Sequence, residues 1–193
     1  NFHMYQKYGK DYKKRKGVTY MNFTNIKKKL AKQGFLEGDE LTRKGVFASK
    51  IYADEILIGN MFATKFYKQL DTYQVMLLIA CIVYEPREKT EFYKTYKTGD
   101  VHKLRNLVKK FKSKKFRSMY DITALVNPCY NGQSVSEIME NTNLQEGDLI
   151  RFFRQMLDRM GQIQNAADDR ELQDIMRHCQ HIIHECLEDI DVI

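Results

Sequence analysis

A stretch towards the end of the chain, residues 146–164, combines an apolar face with a row of hydrogen-bonding side chains. At about 100° per residue, one face is wholly apolar: Leu149, Phe153, Met156, Leu157, Met160 and Ile163. The opposite face, here called the polar stripe, carries Arg151, Arg154, Gln155, Asp158 and Gln162. Such a row is most often solvated surface. It also suits a channel for a nucleic-acid strand, because Arg and Gln donate to phosphates and base edges.

The charge of the chain is divided unevenly along its length. The net charge is +7, but residues 1–120 hold 27 Lys and Arg against 11 Asp and Glu, whereas residues 121–193 hold 5 against 14. A basic half favours an anionic partner, most simply nucleic acid. The same asymmetry would also suit attraction between the two halves of one fold, or an acidic neighbouring domain, and charge alone does not separate these cases.

The most basic internal segment, residues 87–120, ends in a run of lysines interleaved with Phe111 and Phe116. We expect it to contact phosphates without reading sequence. The residues chosen for this role are Lys109, Lys110, Lys114 and Lys115.

Motifs for catalysis and metal binding are mostly absent from the sequence. There is no Gly-rich phosphate-binding loop and no nucleophile elbow, so we expect no catalytic residues in this chain. The segment from His178 to Cys186 is rich in metal-binding residue types, but helical geometry places its cysteines on the apolar face and His178, His181 and Glu185 elsewhere. We therefore expect no metal site, and read the four scattered cysteines as reduced thiols of an intracellular protein without a membrane span.

The elements that must position these residues are predicted to be mainly α. Residues 1–20 are interpreted as a basic linker or arm of a longer protein, with His3-Met4 as a cloning remnant. Residues 21–193 are predicted to form one helical bundle, with parts at 21–86, 87–120 (the basic segment) and 121–193.

Local patterns place the individual elements of that bundle. A helix over 22–33 with Phe23, Ile26 and Leu30 on its buried side is predicted first. A hairpin at 35–42 with Glu-Gly-Asp at its turn follows, which gives a winged-helix-like start. Helical pattern then runs over 46–70 with a break near Gly59-Asn60. The remaining predicted helices are a buried one over 72–84, one over 102–111, the helix from Glu146 and a last one over 168–190. A short helix before Glu146 is predicted to begin at a Ser134/Glu137 capping box and to break at Asn141-Thr142-Asn143.

Several of these segments, in this order, resemble the C-terminal helical region of the superkiller-type DExH RNA helicases, called the DOB/SKI/HelY-like C-terminal domain (DSHCT). The similarity runs from about Ile26 to the end. The matching pieces are Gly34-Phe35, Leu41-Thr42-Arg43-Lys44-Gly45, Glu55-Ile56-Leu57, Leu70-x-x-x-Gln74, Cys81-Ile82-Val83-Tyr84-Glu85, Gly132-Gln133-Ser134 and Glu146-Gly147-Asp148-Leu149-Ile150-Arg151.

The resemblance implies a bundle packed on two RecA-like motor domains, with one long helix lying along single-stranded RNA as a ratchet. The helix from Asp148 to about Gln164 is the implied ratchet. Its polar stripe would face RNA, and Glu85 would approach from the neighbouring helix. ATP and Mg²⁺ would belong to the parent helicase and not to this fragment, which would be cytoplasmic, or nuclear in a eukaryote.

The chain departs from the family pattern at several positions. Gln155 replaces a frequent Arg, Thr72-Tyr73 stands where Pro-Glu is usual, Trp is absent, and the C-terminal Ser-Leu-Tyr is missing. We read it as a divergent member. Two alternatives from other classes stay open: a helix-turn-helix DNA-binding regulator built on residues 134–160, and a helical protein-interaction module.

Overall fold

A computed structural model describes residues 21–188 of the chain. The predicted linker at 1–20 and the end of the last predicted helix lie outside these residues. The described residues divide into two compact units, residues 21–46 and 47–188. Within the described residues the fold is mainly α with one two-stranded hairpin, which confirms the predicted fold class. No helix among these residues has the length and apolar character needed to cross a membrane.

The first unit contains helix α1 (residues 21–32) and the antiparallel hairpin of β1 (Leu36–Glu37) and β2 (Glu40–Leu41). Gly38 turns the hairpin with a positive φ of 63°, as its Glu-Gly-Asp sequence predicts. The predicted burial of Phe23 and Ile26 is wrong, since these side chains are 64% and 57% exposed. A unit this small offers too little apolar surface to cover a helix face.

The Thr-Arg-Lys-Gly motif holds the hairpin at the start of helix α2 (Arg43–Ser49). The Thr42 hydroxyl donates to the carbonyl of Gly34 at 2.6 Å and accepts from the amide of Gly45 at 3.1 Å. Lys44 Nζ donates to the carbonyl of Gln33 at 2.7 Å. Thr42 and Lys44 therefore satisfy backbone groups at the end of α1 and fix the position of the turn.

The second unit is organised around helix α4 (Thr72–Val83), which is buried on all sides as its apolar sequence predicts. A reciprocal cap opens it: the Asp71 carboxylate accepts from the Gln74 amide at 2.7 Å, and the Gln74 side chain accepts from the Asp71 amide at 3.0 Å. Around α4 pack the helices α6 (Met119–Tyr130), α8 (Glu146–Ala166) and α9 (Arg170–Leu187).

The remaining helices are α3 (Glu55–Phe62), α5 (Gly99–Val108) and the single turn α7 (Val135–Ile138), which the predicted Ser134/Glu137 capping box opens. Short 3₁₀ turns cover Lys65–Gln69, Lys109–Phe111, Lys114–Phe116 and Met139–Asn141. The predicted break at Gly59-Asn60 is wrong, because both residues lie inside α3. The chain leaves the helix at residues 50–54 instead, where Asp54 adopts a left-handed conformation (φ 55°) that Asp tolerates better than most residues.

Candidate nucleic-acid interface

Helix α8 has the two faces that its sequence period predicts. Glu146 and Asp148 occupy its first turn, where their charge favours the unpaired amides and the positive end of the helix dipole. The predicted apolar face is buried, except that Leu157 is half-buried. Phe152 is also buried. This packing against α4 and α9 fixes the rotation of the helix and leaves Arg151 and Arg154 exposed.

The polar stripe divides into an open part and a part engaged inside the protein. Arg151, Arg154, Gln155 and Asp158 line one open cavity of about 610 Å³. Gln162, one turn further on, donates to the Asp158 carboxylate at 2.8 Å and accepts from the backbone amide of Tyr52 at 3.0 Å. Gln162 therefore ties the loop before α3 to helix α8, and the structure assigns it a positioning contact.

A narrow groove of about 80 Å³ joins the stripe to the end of helix α4. Glu85, Arg151 and Gln155 all line it. The structure thus brings Glu85 to the stripe, as the resemblance implied. Tyr84 forms part of the same wall and packs edge-on against Phe92 and Phe152, with centroids 6.1 Å apart in both pairs. Burial raises the pKa of Tyr84, so its phenol stays neutral at physiological pH.

A basic cavity of about 570 Å³ also borders Tyr84 and Glu85. Lys114, Lys115 and Arg117 line it together with Glu85 and Asp54. Because Glu85 lines both this cavity and the narrow groove, the stripe and two of the predicted lysines belong to one continuous surface. The surface carries mixed charge, since the carboxylates of Glu85, Asp54, Asp148 and Asp158 line it beside the cations.

The other two predicted lysines lie outside these cavities. Lys109 Nζ donates to the Asn106 side chain at 2.8 Å. Lys110 Nζ sits 4.5 Å from the ring centroid of Phe66 and 5.2 Å from that of Phe111. Both occupy the 3₁₀ turn before the basic cavity, and both are engaged in contacts within the chain.

Two arginines that sequence reasoning missed organise the surface. Arg159 is only 13% exposed, and its Nη1 lies 3.7 Å from Asp54 Oδ2 while also donating to the carbonyl of Ala53. The same Asp54 oxygen lies 3.7 Å from Lys115 Nζ, so one carboxylate links helix α8 to the basic cavity. Arg159 stands at the border between the two faces of α8, where the period alone assigns no role.

The second missed residue is Arg87, which lines the narrow groove and pairs with Asp148 at 2.6 Å. Hydrogen bonds attach the loop that carries Arg87 to the turn before α8. Thr142 donates its hydroxyl to the carbonyl of Glu91 at 2.8 Å, and the Asn143 side chain bonds the backbone of Glu91 and of Lys89 at 2.9 Å and 2.8 Å. The Asn-Thr-Asn sequence that signalled a helix break was the available sign of this attachment.

The cysteine-rich helix α9 shows no metal-binding arrangement. All four cysteines are buried free thiols. Within residues 21–188, no group of three or more His, Cys, Asp or Glu side chains is placed to hold a metal ion. His181 instead lies 3.7 Å from Glu185 on the exposed side of the helix.

Comparison with known proteins places the chain in a family. The sequence profile of the DSHCT (NUC185) domain matches residues 38–185, which include every cavity described above. A Caenorhabditis elegans protein called "mRNA transport homolog 4" is 28% identical over 160 residues, covering 74% of this chain. The match takes up 15% of that protein, so the chain spans only a small part of its relative. Since the DSHCT profile matches well over half of the chain, this chain belongs to the DSHCT domain family.

Proposed function

We propose that the chain is the RNA-contacting accessory domain of an ATP-dependent RNA helicase of the superkiller type. The observation that carries the proposal is the continuous surface on which Glu85 joins the open part of the stripe to Lys114 and Lys115. The family supports it, as does the relative's name, which refers to mRNA transport. RecA-like motor domains of the parent protein would bind ATP and Mg²⁺, and this chain would hold single-stranded RNA inside the cell.

Each part of the surface has a distinct chemical task in this proposal. Arg151 and Arg154 donate to phosphates of the strand, since a guanidinium suits bidentate contact with phosphate oxygens. Gln155 offers both a donor and an acceptor, which suits a base edge or a ribose hydroxyl. Glu85 repels phosphate, so it turns the phosphates of the strand towards the neighbouring cations.

The rigidity of helix α8 matters for a ratchet. Leu149, Phe153, Met156, Met160 and Ile163 are all fully buried. The stripe therefore cannot rotate without opening the core. A strand pulled by the motor domains would meet side chains at fixed positions, and their contacts would resist backward slipping between cycles of ATP hydrolysis.

The test is binding of the chain to a single-stranded oligouridine 20-mer, measured by fluorescence anisotropy across a salt series. Arg151→Ala with Arg154→Ala removes two charges from the stripe. Lys28→Ala with Lys29→Ala removes two from the exposed side of helix α1 and serves as the matched control. At 0.15 M salt we expect the stripe variant to bind about tenfold more weakly, because two phosphate contacts are lost.

Three outcomes bear on the proposal. An equal loss in both variants means that only net charge matters, and the stripe assignment is then wrong. Preference for duplex DNA with a sequence-specific footprint supports the helix-turn-helix regulator instead. In the parent helicase, the stripe variant should unwind duplex RNA more slowly while retaining ATP hydrolysis; unchanged unwinding contradicts the ratchet.

A further inference from the structure

A second basic surface surrounds Tyr96, in the loop before helix α5, and Tyr120, at the start of helix α6. We call it the cation–ring patch, and its members are Lys94, Tyr96, Lys97, His102, Arg105 and Tyr120. None of these residues lines the cavities described above.

The patch is built around the ring of Tyr120. The guanidinium carbon of Arg105 lies 4.6 Å from the ring centroid, and Lys97 Nζ lies 5.6 Å from it. The Tyr120 hydroxyl and His102 Nδ1 are 2.7 Å apart, and the two rings meet edge to face at 5.3 Å. Lys94 Nζ sits 5.3 Å from the ring of Tyr96. Stacking on a ring restricts a flexible cation without neutralising it.

The rings are held in place by the fold. Tyr120 is half-buried against the core in the first turn of α6. The amide of Tyr96 donates to the Thr123 hydroxyl at 2.8 Å, and that hydroxyl donates to the carbonyl of Tyr120. The loop carrying Lys94 and Lys97 is therefore attached to the helix carrying Tyr120.

The cations of the patch have no ion-pair partner in the part of the chain that the structure describes. Among residues 21–188, no carboxylate lies within 4.0 Å of the charged atoms of Lys94, Lys97 or Arg105. By contrast, Arg87 and Lys115 each pair with a carboxylate. Cations held close together without a counter-charge repel one another, and a bound anion relieves that repulsion.

The patch is joined to the basic cavity through the chain. Ser118 lines that cavity and stands two residues before Tyr120, a separation of at most about 7 Å along the chain. The segment that lines the cavity with Lys114 and Lys115 therefore leads directly into the helix turn that carries Tyr120. Cations on both of these segments suit a polymeric anion better than a small one.

From this arrangement we infer that the cation–ring patch is a second contact site for the phosphodiester backbone of single-stranded RNA, reached after the strand leaves the basic cavity. The choice of RNA as the ligand rests on the proposed function. Lys97 and Arg105 contact phosphates, while Tyr120 holds both cations in position.

The experiment uses the same 20-mer, salt series and Lys28→Ala/Lys29→Ala control. Lys97→Ala with Arg105→Ala should bind about tenfold more weakly at 0.15 M salt, and the slope of log affinity against log salt should fall by about 1.4, since each single-strand phosphate contact contributes about 0.7. Affinity equal to that of the control variant overturns the inference.

The two proposals fail separately. If the patch variant binds RNA more weakly and the stripe variant does not, the assignment of the stripe is wrong and that of the patch stands. If only the stripe variant binds RNA more weakly, the assignment of the patch is wrong and the proposed function stands. Competition with an oligo-glutamate peptide of equal charge identifies the ligand. If the peptide binds the patch more tightly than RNA does, the ligand is an acidic protein partner, and the choice of RNA is overturned.

Substitutions of Tyr120 test the organising role of the ring. Tyr120→Phe keeps the ring and loses only the bond to His102, so its affinity should stay within about twofold of the unmodified chain. Tyr120→Leu fills similar space without a π face and should bind about two- to fivefold more weakly. Circular dichroism shows whether each variant is folded, and a folded Leu variant with full affinity contradicts this role.

Discussion

Arg87 and Asp148 join the two walls of the narrow groove, with Arg87 Nη1 lying 2.6 Å from Asp148 Oδ1. Arg87 follows helix α4 in the chain, whereas Asp148 stands in the first turn of helix α8. The pair therefore holds the segment that carries Glu85 against the helix that carries Arg151.

Asp148→Asn should destabilise the protein slightly. The variant loses a partly exposed ion pair and a favourable charge at a helix start, which together contribute about 0.5–1 kcal/mol. Urea unfolding followed by circular dichroism measures the difference. Glu146→Gln is the matched control, because it removes a first-turn charge that has no ion-pair partner within residues 21–188. Equal losses in the two variants mean that the pair with Arg87 adds nothing.

Glu85→Gln should increase affinity for single-stranded RNA about two- to threefold, since one negative charge within about 8 Å of a phosphate opposes binding by about 0.5 kcal/mol in water. Anisotropy at low and high salt checks this. The increase should shrink at high salt, where such repulsion is screened. Weaker binding by the Gln variant means instead that Glu85 accepts a hydrogen bond that a neutral amide cannot replace.

Gly45→Ala should loosen the hairpin of the first unit. An added Cβ would overlap the carbonyl oxygen of Phe35, so the backbone has to move, at a cost of about 1–3 kcal/mol. Amide hydrogen exchange of residues 35–45 reports the change directly. Gly99→Ala is the control, because nothing lies within 4 Å of its added Cβ and the residue is helical. Unchanged protection in the Gly45 variant contradicts the close packing.

Hydrogen bonds to Asp169 at the start of helix α9 should make an acid-sensitive contribution to stability. The Asp169 carboxylate accepts from the Tyr67 hydroxyl and from the Glu171 amide at 3.0 Å. These bonds lower the pKa of Asp169 from its ordinary value of 3.8. Since the folded-state pKa lies below the unfolded one, the contribution is complete above about pH 4 and disappears as the pH falls through the folded-state value.

Urea unfolding of the unmodified chain and of Asp169→Asn between about pH 2 and pH 7 measures the contribution of Asp169 to stability. The difference in unfolding free energy should be constant from about pH 5 to 7 and should shrink below about pH 4. Tyr67→Phe should reduce the acid-dependent part, because the Tyr67 hydroxyl bond is the largest cause of the shift. A difference that stays constant over the whole acid range contradicts the assignment.

Residues whose role depends on near neighbours in the chain were predictable. The Glu-Gly-Asp hairpin turn, the Ser134/Glu137 capping box, the buried helix α4 and the two faces of α8 all follow from spacing, and the structure contains each of them. The break expected at Gly59 failed, because packing inside the second unit stabilises a helix across a residue with poor helix propensity.

The candidate site was predictable only in part. The period of α8 placed Arg151, Arg154 and Gln155 on one polar face, and these residues line the open cavity. The period gave Gln162 the same rank, although the Gln162 side chain binds the backbone of Tyr52, 110 residues earlier. Lys109 and Lys114 looked equivalent in one basic run. A 3₁₀ turn and the following bend direct Lys114 to the cavity and leave Lys109 bonded to Asn106.

The sequence by itself determined the helical class, the family resemblance, the uneven charge and the solvent-exposed face of α8, because these depend on composition and on separations of a few residues. Only the tertiary structure decided that Glu85 stands between the stripe and the basic cavity, that Arg87 and Arg159 hold the surface together, and that Arg105 and Lys97 share the ring of Tyr120. These contacts join residues from separate helices and loops. Their distances are set by how the helices pack around α4, and no local pattern records that packing.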